Sequence, residues 1–425
     1  MRVSLWLLAL FAAAVAAALF AGSNPGSVTI FWPPYRIDLS LNLVLVVLLL
    51  GFLVLHLALR ALSALFSIPR DARLWRQRQR ERNMQASLLD AYAQLIAGRF
   101  VRSKKAAEVV VDQVDHLANA EDKLAYAGPL RTIAHLLAAE AAHSLQDRAG
   151  RERHYRAALD HAGRGLAPEA GEGVRLRAAR WALDDHDAPL ALQMLDDLGQ
   201  GPGRRTLALR MRLKAARMAG RTIMALETAR LLAKHHALSQ TAARGVLRGL
   251  AIELIQAAHD PAQLTQAWSR LEPAERTMPD VASLAAVRLL TLGGDPATSR
   301  LWLLPVWEQM LAQPGGLGQQ QSVELVRALE LGFAKDPHAL EGEWLTRIES
   351  AQLSHPGDAV LQYLAGVTCM RLQLWGKARQ LLQQSLVRMH DAGLRRDAWR
   401  QLAEMASQRG DAEAATAAWR SAAQA

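Results

Sequence analysis

One cysteine, Cys369, in 425 residues rules out an intrachain disulfide and leaves no set of thiolates to hold a metal cluster. Aromatic residues make up only 5% of the chain, and beyond about residue 85 the alternation that marks strands is nearly absent, which argues against a sheet-centred fold. The glycine-rich pieces GQGPG (199–203) and GGLG (315–318) neither follow a strand nor match a phosphate or dinucleotide fingerprint. An HExxH motif and a compact Cys/His set are also missing. The histidines are dispersed: His135 and His143 stand about two helical turns apart, as do His154 and His161. These absences point to a protein that is not an enzyme and has no catalytic or metal site.

Acidic residues are scarce relative to basic ones, with 40 Asp and Glu against 50 Lys and Arg and a net charge of +10. The excess is local. Residues 60–110 hold eleven basic and four acidic side chains, whereas the 315 residues that follow carry only +2. A juxtamembrane position suits anionic lipid headgroups better than nucleic acid, each basic residue contributing about 1 kcal/mol near such a surface.

Two long apolar runs are present. Leu39 to Leu59 suffices to cross a hydrocarbon layer of about 30 Å at 1.5 Å per residue. Val3 to Ala21 is the second, preceded by Arg2; a signal peptide is the rival reading and leaves the remainder of the chain on the same side. Arg70, Arg73, Arg76, Arg78, Arg80 and Arg82 follow Arg60 and mark the cytoplasmic face, where they are expected to contact membrane lipid. Between the runs, Val28–Trp32 and Tyr35–Leu39 alternate around Pro33-Pro34, which suggests a small hairpin on the outer face with Phe31, Trp32 and Tyr35 at headgroup depth.

From residue 85 onward, helical patterns of about 12–15 residues alternate with short breaks. The clearest unit is Trp399, Leu402, Ala403, Ala406, Gly410, Ala415, Trp419 and Ala422, a tetratricopeptide pattern in which small residues sit where two helix backbones approach. A second unit joins Ala365 and Gly366 to Trp375, Ala378, Leu382 and Ser385; weaker copies turn at His186 and Gly220, and degenerate ones at Gly98, Gly150 and Asp295. The expected fold is all-α: a transmembrane helical hairpin over 1–60, a basic juxtamembrane helix over 61–84, and a tetratricopeptide-like α-solenoid of seven to ten helix pairs over 85–425. Arg210, Lys214, Arg217 and Arg221, spaced 4, 3 and 4, form a candidate basic stripe for an acidic partner.

This order of features resembles the bacterial HemY family of inner-membrane proteins, most clearly in PGSVTIFWPPYRIDLSL (25–41), RLWRQRQRERN (73–83), ERHYRAALDHA (152–162) and RAARWALDDHDAPLALQMLDDL (177–198). The resemblance implies a multi-pass protein of the inner membrane with a large cytoplasmic domain and a role associated with late protoheme synthesis. Its expected partners are inner-membrane lipids and other proteins, among them haem-biosynthesis enzymes, without nucleic acid. No cofactor is assigned, although direct haem or porphyrin binding is the alternative function. A further resemblance, to the tetratricopeptide regulator of lipopolysaccharide assembly, lacks that protein's two CxxC motifs and leaves an envelope-assembly role as the second alternative.

Overall fold

The computed structural model describes residues 11–16, 18, 19, 22, 26–118, 127–162, 168–313 and 315–425. Two compact units, Met1–His154 and Tyr155–Ala425, divide the chain, with the boundary inside one helix.

The first unit opens with the two short strands β1 (Ser27–Trp32) and β2 (Tyr35–Ser40), paired antiparallel. Ser40 ends the hairpin and caps the next helix, its hydroxyl accepting from the Leu43 amide at 3.3 Å. That helix, α1 (Leu41–Ile96), is continuous for 56 residues, and its Leu41–Leu62 portion is long and apolar enough to cross a membrane, with none of it buried in the protein. The other expected span, Val3–Ala21, is helical at residues 11–16, 18 and 19, its remaining positions lying outside the described residues.

α1 changes character near its end. Met84 and Ala91 are buried, packing with Val110, Val114 and Ala107 of α2 (Phe100–Ala118) and with Leu130, Ala134, Leu137 and Ala138 of α3 (Ala127–Ser144). α4 (Arg148–Ala162) follows.

The second unit continues as short helices in alternation: α5 (Pro168–Asp184), α6 (Ala188–Asp196), α7 (Thr206–Met218), α8 (Thr222–Lys234), α9 (Gln240–Gln256), α10 (Pro261–Arg270), α11 (Pro279–Thr291), α12 (Pro296–Ala312), α13 (Gln319–Lys335), α14 (Glu343–Ser354), α15 (Ala359–Arg371), α16 (Trp375–Arg388), α17 (Ala392–Gln408) and α18 (Ala412–Gln424). It is all-α and tetratricopeptide-like. Odd-numbered helices are the first members of successive pairs.

A recurrent turn builds these pairs. At Gly98, Gln146, His186, Gly220, Gly293, Gln373 and Gly410 the backbone takes positive φ, between 57° and 82°. Each such residue donates three residues back, and the next residue donates five back, as in Gly410 to Ser407 and Asp411 to Ala406. This is the Schellman closure, which satisfies orphan carbonyls at a helix end. Aspartates then cap the second helix: Asp187 and Asp411 accept from the amides of Leu190 and Ala414 at 3.0 Å.

Two of the degenerate units need correction. The turn assigned to Gly150 lies at Gln146, and Gly150 is inside the first turn of α4, its amide donating to the Asp147 carboxylate at 2.8 Å. The turn assigned to Asp295 lies at Gly293, while Asp295 caps α12. The residue that must adopt positive φ is the one after the helix ends, and the cap follows it.

At the C-terminal repeat Leu402, Ala403, Ala406, Ala415 and Ala422 are buried, Trp399 is half-buried and Gly410 makes the turn. Trp419 departs from the pattern: it is 44% exposed, and Ala418 is buried in its stead. Gly366 of α15 is a true close approach. A Cβ there would lie 2.8 Å from Leu382 Cγ of α16.

Candidate partner-binding groove

Successive odd-numbered helices supply the walls of a groove of about 1150 Å³ in the second unit. α9, α11 and α13 form most of it, with Arg371 from the end of α15 and Asp397 from α17 at one limit. Ile252, Leu284, Val287 and Leu331 give an apolar surface, and Arg248, Asp280, Glu324, Arg327 and Glu330 a polar one. A concave apolar surface with a few fixed polar groups is the general form of a binding site.

The polar groups are held in place. Asp280 accepts from Arg248 and from Gln321 at 2.7 and 2.9 Å. Glu330 accepts from the Tyr363 hydroxyl at 3.0 Å. Burial pushes the Glu330 carboxyl above its ordinary value, against the Tyr363 hydrogen bond and the Arg371 charge. Burial also raises the Tyr363 phenol, so at neutral pH it stays a donor.

Two features of the groove have no role in packing. Ser283 is 3% exposed, yet its Oγ has no hydrogen-bond partner, and the buried Nε of Arg371 lacks one as well. An unmet buried polar atom costs about 1–3 kcal/mol. Gly245 and Gly249, four residues apart on α9, face open space where a Cβ would stand. Glycine inside a helix costs about 1 kcal/mol relative to alanine, so neither residue benefits the fold.

The basic stripe expected from the sequence is partly assembled. Arg210, Lys214 and Arg217 are exposed on α7 and line a separate recess of about 530 Å³ with Leu213, Met218 and Glu253. Arg210 donates to the Ala237 carbonyl at 2.8 Å, and Arg217 stands 3.7 Å from Glu253. Arg221 does not share their helix: α7 ends at Met218, the chain turns at Gly220, and Arg221 precedes α8. Regular spacing across a left-handed turn does not keep one face.

Of the arginines expected at the membrane surface, Arg78, Arg80 and Arg82 are exposed, and the side chains of Arg70, Arg73 and Arg76 lie outside the described residues. The aromatic trio also divides. Trp32 and Tyr35 are cross-strand partners, whereas Phe31 pairs with Arg36 on the opposite side of the hairpin.

Sequence reasoning missed one pair. His135 and His154, on consecutive helices, meet at 3.1 Å between their Nδ1 atoms, and both are buried. Their separation of nineteen residues across a turn gave no helical-spacing signal. His154 Nε2 is 3.4 Å from Glu108 without hydrogen-bonding geometry. Among the described residues no group of three or more His, Cys, Asp or Glu is placed to hold a metal ion.

Solved structures that resemble this chain include the APC/C hetero-tetramer Cut9-Hcn1, at 15% identity over 78% of this chain and 64% of that one, TM-score 0.27. The P58(IPK) TPR domain matches at 15% identity over 77% of this chain and 99% of its own, TM-score 0.22. Naa15/Naa10 bound to HypK-THB matches at 12% identity over 77% and 56%, TM-score 0.21. The chain thus spans 64% of the length of the Cut9-Hcn1 chain. No curated protein matches it. Residues 26–146, from the hairpin through α3, match the family described as HemY protein N-terminus.

Proposed function

We propose that this protein is a non-enzymatic scaffold of the bacterial inner membrane, with both apolar runs spanning the bilayer, the basic stretch after Leu62 on the cytoplasmic surface, and the repeats in the cytoplasm. The groove along α9, α11 and α13 receives a partner protein. The match of residues 26–146 to the HemY N-terminal family supports partners among the enzymes of late haem synthesis. Holding them beside the bilayer raises their effective concentration without new catalytic chemistry.

The observation that carries this reading is the groove's unused capacity: Gly245 and Gly249 leave space, and Ser283 Oγ lacks a partner, within one cavity. Photocrosslinking in intact cells tests it. A benzophenone amino acid in place of Val287, in the groove, should give a discrete protein adduct; one in place of Leu301, 65% exposed on α12, should not. Gly249→Leu should abolish the Val287 adduct. Equal labelling from both positions, or none from Val287, overturns the reading. A reporter enzyme fused after Ala425 and active only outside the inner membrane would overturn the cytoplasmic placement separately.

A further inference from the structure

The β1–β2 hairpin sorts its side chains by face. Directly opposed residues of a two-stranded ribbon project to the same side. The register sets Val28 against Leu39, Ile30 against Ile37 and Trp32 against Tyr35 on one face, with Thr29 against Asp38 and Phe31 against Arg36 on the other. The latter face carries the exposed Phe31 ring beside three polar side chains that pair with one another. Thr29 Oγ1 donates to Asp38 Oδ1 at 2.6 Å, and Arg36 lies 3.4 Å from that carboxylate and 5.6 Å over the Phe31 ring.

The former face is apolar except for the Tyr35 hydroxyl and the Trp32 indole N–H. Ile30, Trp32, Tyr35 and Ile37 are 44, 73, 71 and 48% exposed. A lone two-stranded hairpin is marginal in water, so such a face needs a covering surface. The nearest one follows from chain continuity, since β2 passes through Ser40 directly into the apolar Leu41–Leu62 segment. Six residues at about 3.3 Å each set the tip about 20 Å from Ser40, while the headgroup layer of one leaflet is about 5–7 Å thick. A hairpin standing upright would hold Trp32 and Tyr35 in bulk water. One lying along the surface brings all three apolar pairs to the interface, where tryptophan and tyrosine partition. Ser40, with φ −66° and ψ 140°, supplies an extended corner between strand and helix.

We infer that the hairpin lies flat on the bilayer surface, with Val28, Ile30, Trp32, Tyr35, Ile37 and Leu39 turned into lipid and Thr29, Arg36 and Asp38, with Phe31 beneath the Arg36 guanidinium, turned to water. It is a second membrane contact, distinct from the spanning helix, and its partner is lipid and not protein. The inference rests on α1 crossing the bilayer, a part of the proposal above, and the test separates the two.

The full chain carrying Cys369→Ser is reconstituted in phosphatidylcholine–phosphatidylglycerol vesicles. Single cysteines are introduced as Ile37→Cys, Asp38→Cys and Leu53→Cys and labelled with an environment-sensitive fluorophore. The Ile37→Cys label should be quenched by a shallow lipid-borne nitroxide and several-fold less by aqueous iodide than the Asp38→Cys label. Equal iodide access at both positions overturns the inference, and so does shielding of the Ile37→Cys label from both quenchers, which would mean a protein cover. Lipid quenching of the Leu53→Cys label reports the spanning helix independently. Ile30→Cys, on the same face, replaces Ile37→Cys if that variant loses its helical circular dichroism, and is judged by the same two criteria.

Discussion

Gly366 shows how much a single hydrogen atom can decide. With Leu382 Cγ 2.8 Å and the Leu382 backbone nitrogen 3.2 Å from the place of a Cβ, α15 and α16 can approach only with glycine there. Gly366→Val should destabilise the second unit by about 1–3 kcal/mol through overpacking, read as a lower midpoint in urea unfolding. The buried histidine pair carries a different prediction. Burial pushes His154 below its ordinary value of 6.5, Arg153 and Lys104 add to that, and Glu108 opposes it. The unfolded chain therefore binds the proton first. Folding stability contributed by this site is present above the ordinary histidine range and is lost as pH falls through it. His154→Gln should flatten the decline in denaturation midpoint between pH 7 and pH 5. The small-residue role of Gly366 was legible in the sequence because it lies in register with Trp375, Ala378 and Leu382. The histidine contact was not, since it joins different helices and depends on their crossing.

At the scale of elements, α8 is tied to the short turn Pro273–Arg276 by a buried ion pair. Glu275 is 2% exposed and accepts from Arg230 Nε and Nη2 at 2.9 and 2.6 Å, and from the Glu272 amide at 2.9 Å. The hydrogen bonds to Glu275 hold Arg230 above its ordinary value. Arg230→Ala strands a buried carboxylate and should cost about 3–5 kcal/mol, measured by calorimetry or denaturant. On α9 the sign reverses. Gly245→Ala and Gly249→Ala meet no atom within 4 Å and should each stabilise the fold by roughly 0.5–1 kcal/mol. A fall in stability would mean that those positions serve packing after all. The pairing of helices was readable because small residues recur at fixed intervals around each turn. Its exact joints were harder: the sequence reads a turn at His186, but Gln146 and Gln373 also occupy left-handed positions that glycine would mark, so residue type alone misplaces the turn at Gly150. The groove escaped sequence reasoning for a related reason. Its lining is drawn mostly from α9, α11 and α13, with one residue each from α15 and α17, and no single helix carries a pattern that announces it.

On the scale of the whole molecule, the composition divides as the sequence suggested, with an exposed apolar segment near the start and alternating helices after it. The two are linked by a continuous helix, where the sequence reading had set a separate juxtamembrane element over 61–84. α1 runs from the apolar segment to Met84, the first buried side chain among the described residues, without a break in helical backbone. At 1.5 Å per residue, the path from Leu62 to Met84 is about 33 Å if straight. With Leu41–Leu62 in the bilayer as proposed, that stretch would act as a mast, setting both the height and the azimuth of the helices packed around Met84. Removing seven residues from it lowers them by about 10 Å and turns them by only about 20°, whereas removing two lowers them by about 3 Å and turns them by roughly 160°. Energy transfer from a label on Leu89→Cys to dye-bearing lipid headgroups should register the first deletion as a shorter distance and the second as nearly none. The helices packed around Met84 would thus keep the side they turn to the bilayer after the loss of a heptad and exchange it after the loss of two residues, so the shorter deletion is the larger change of orientation.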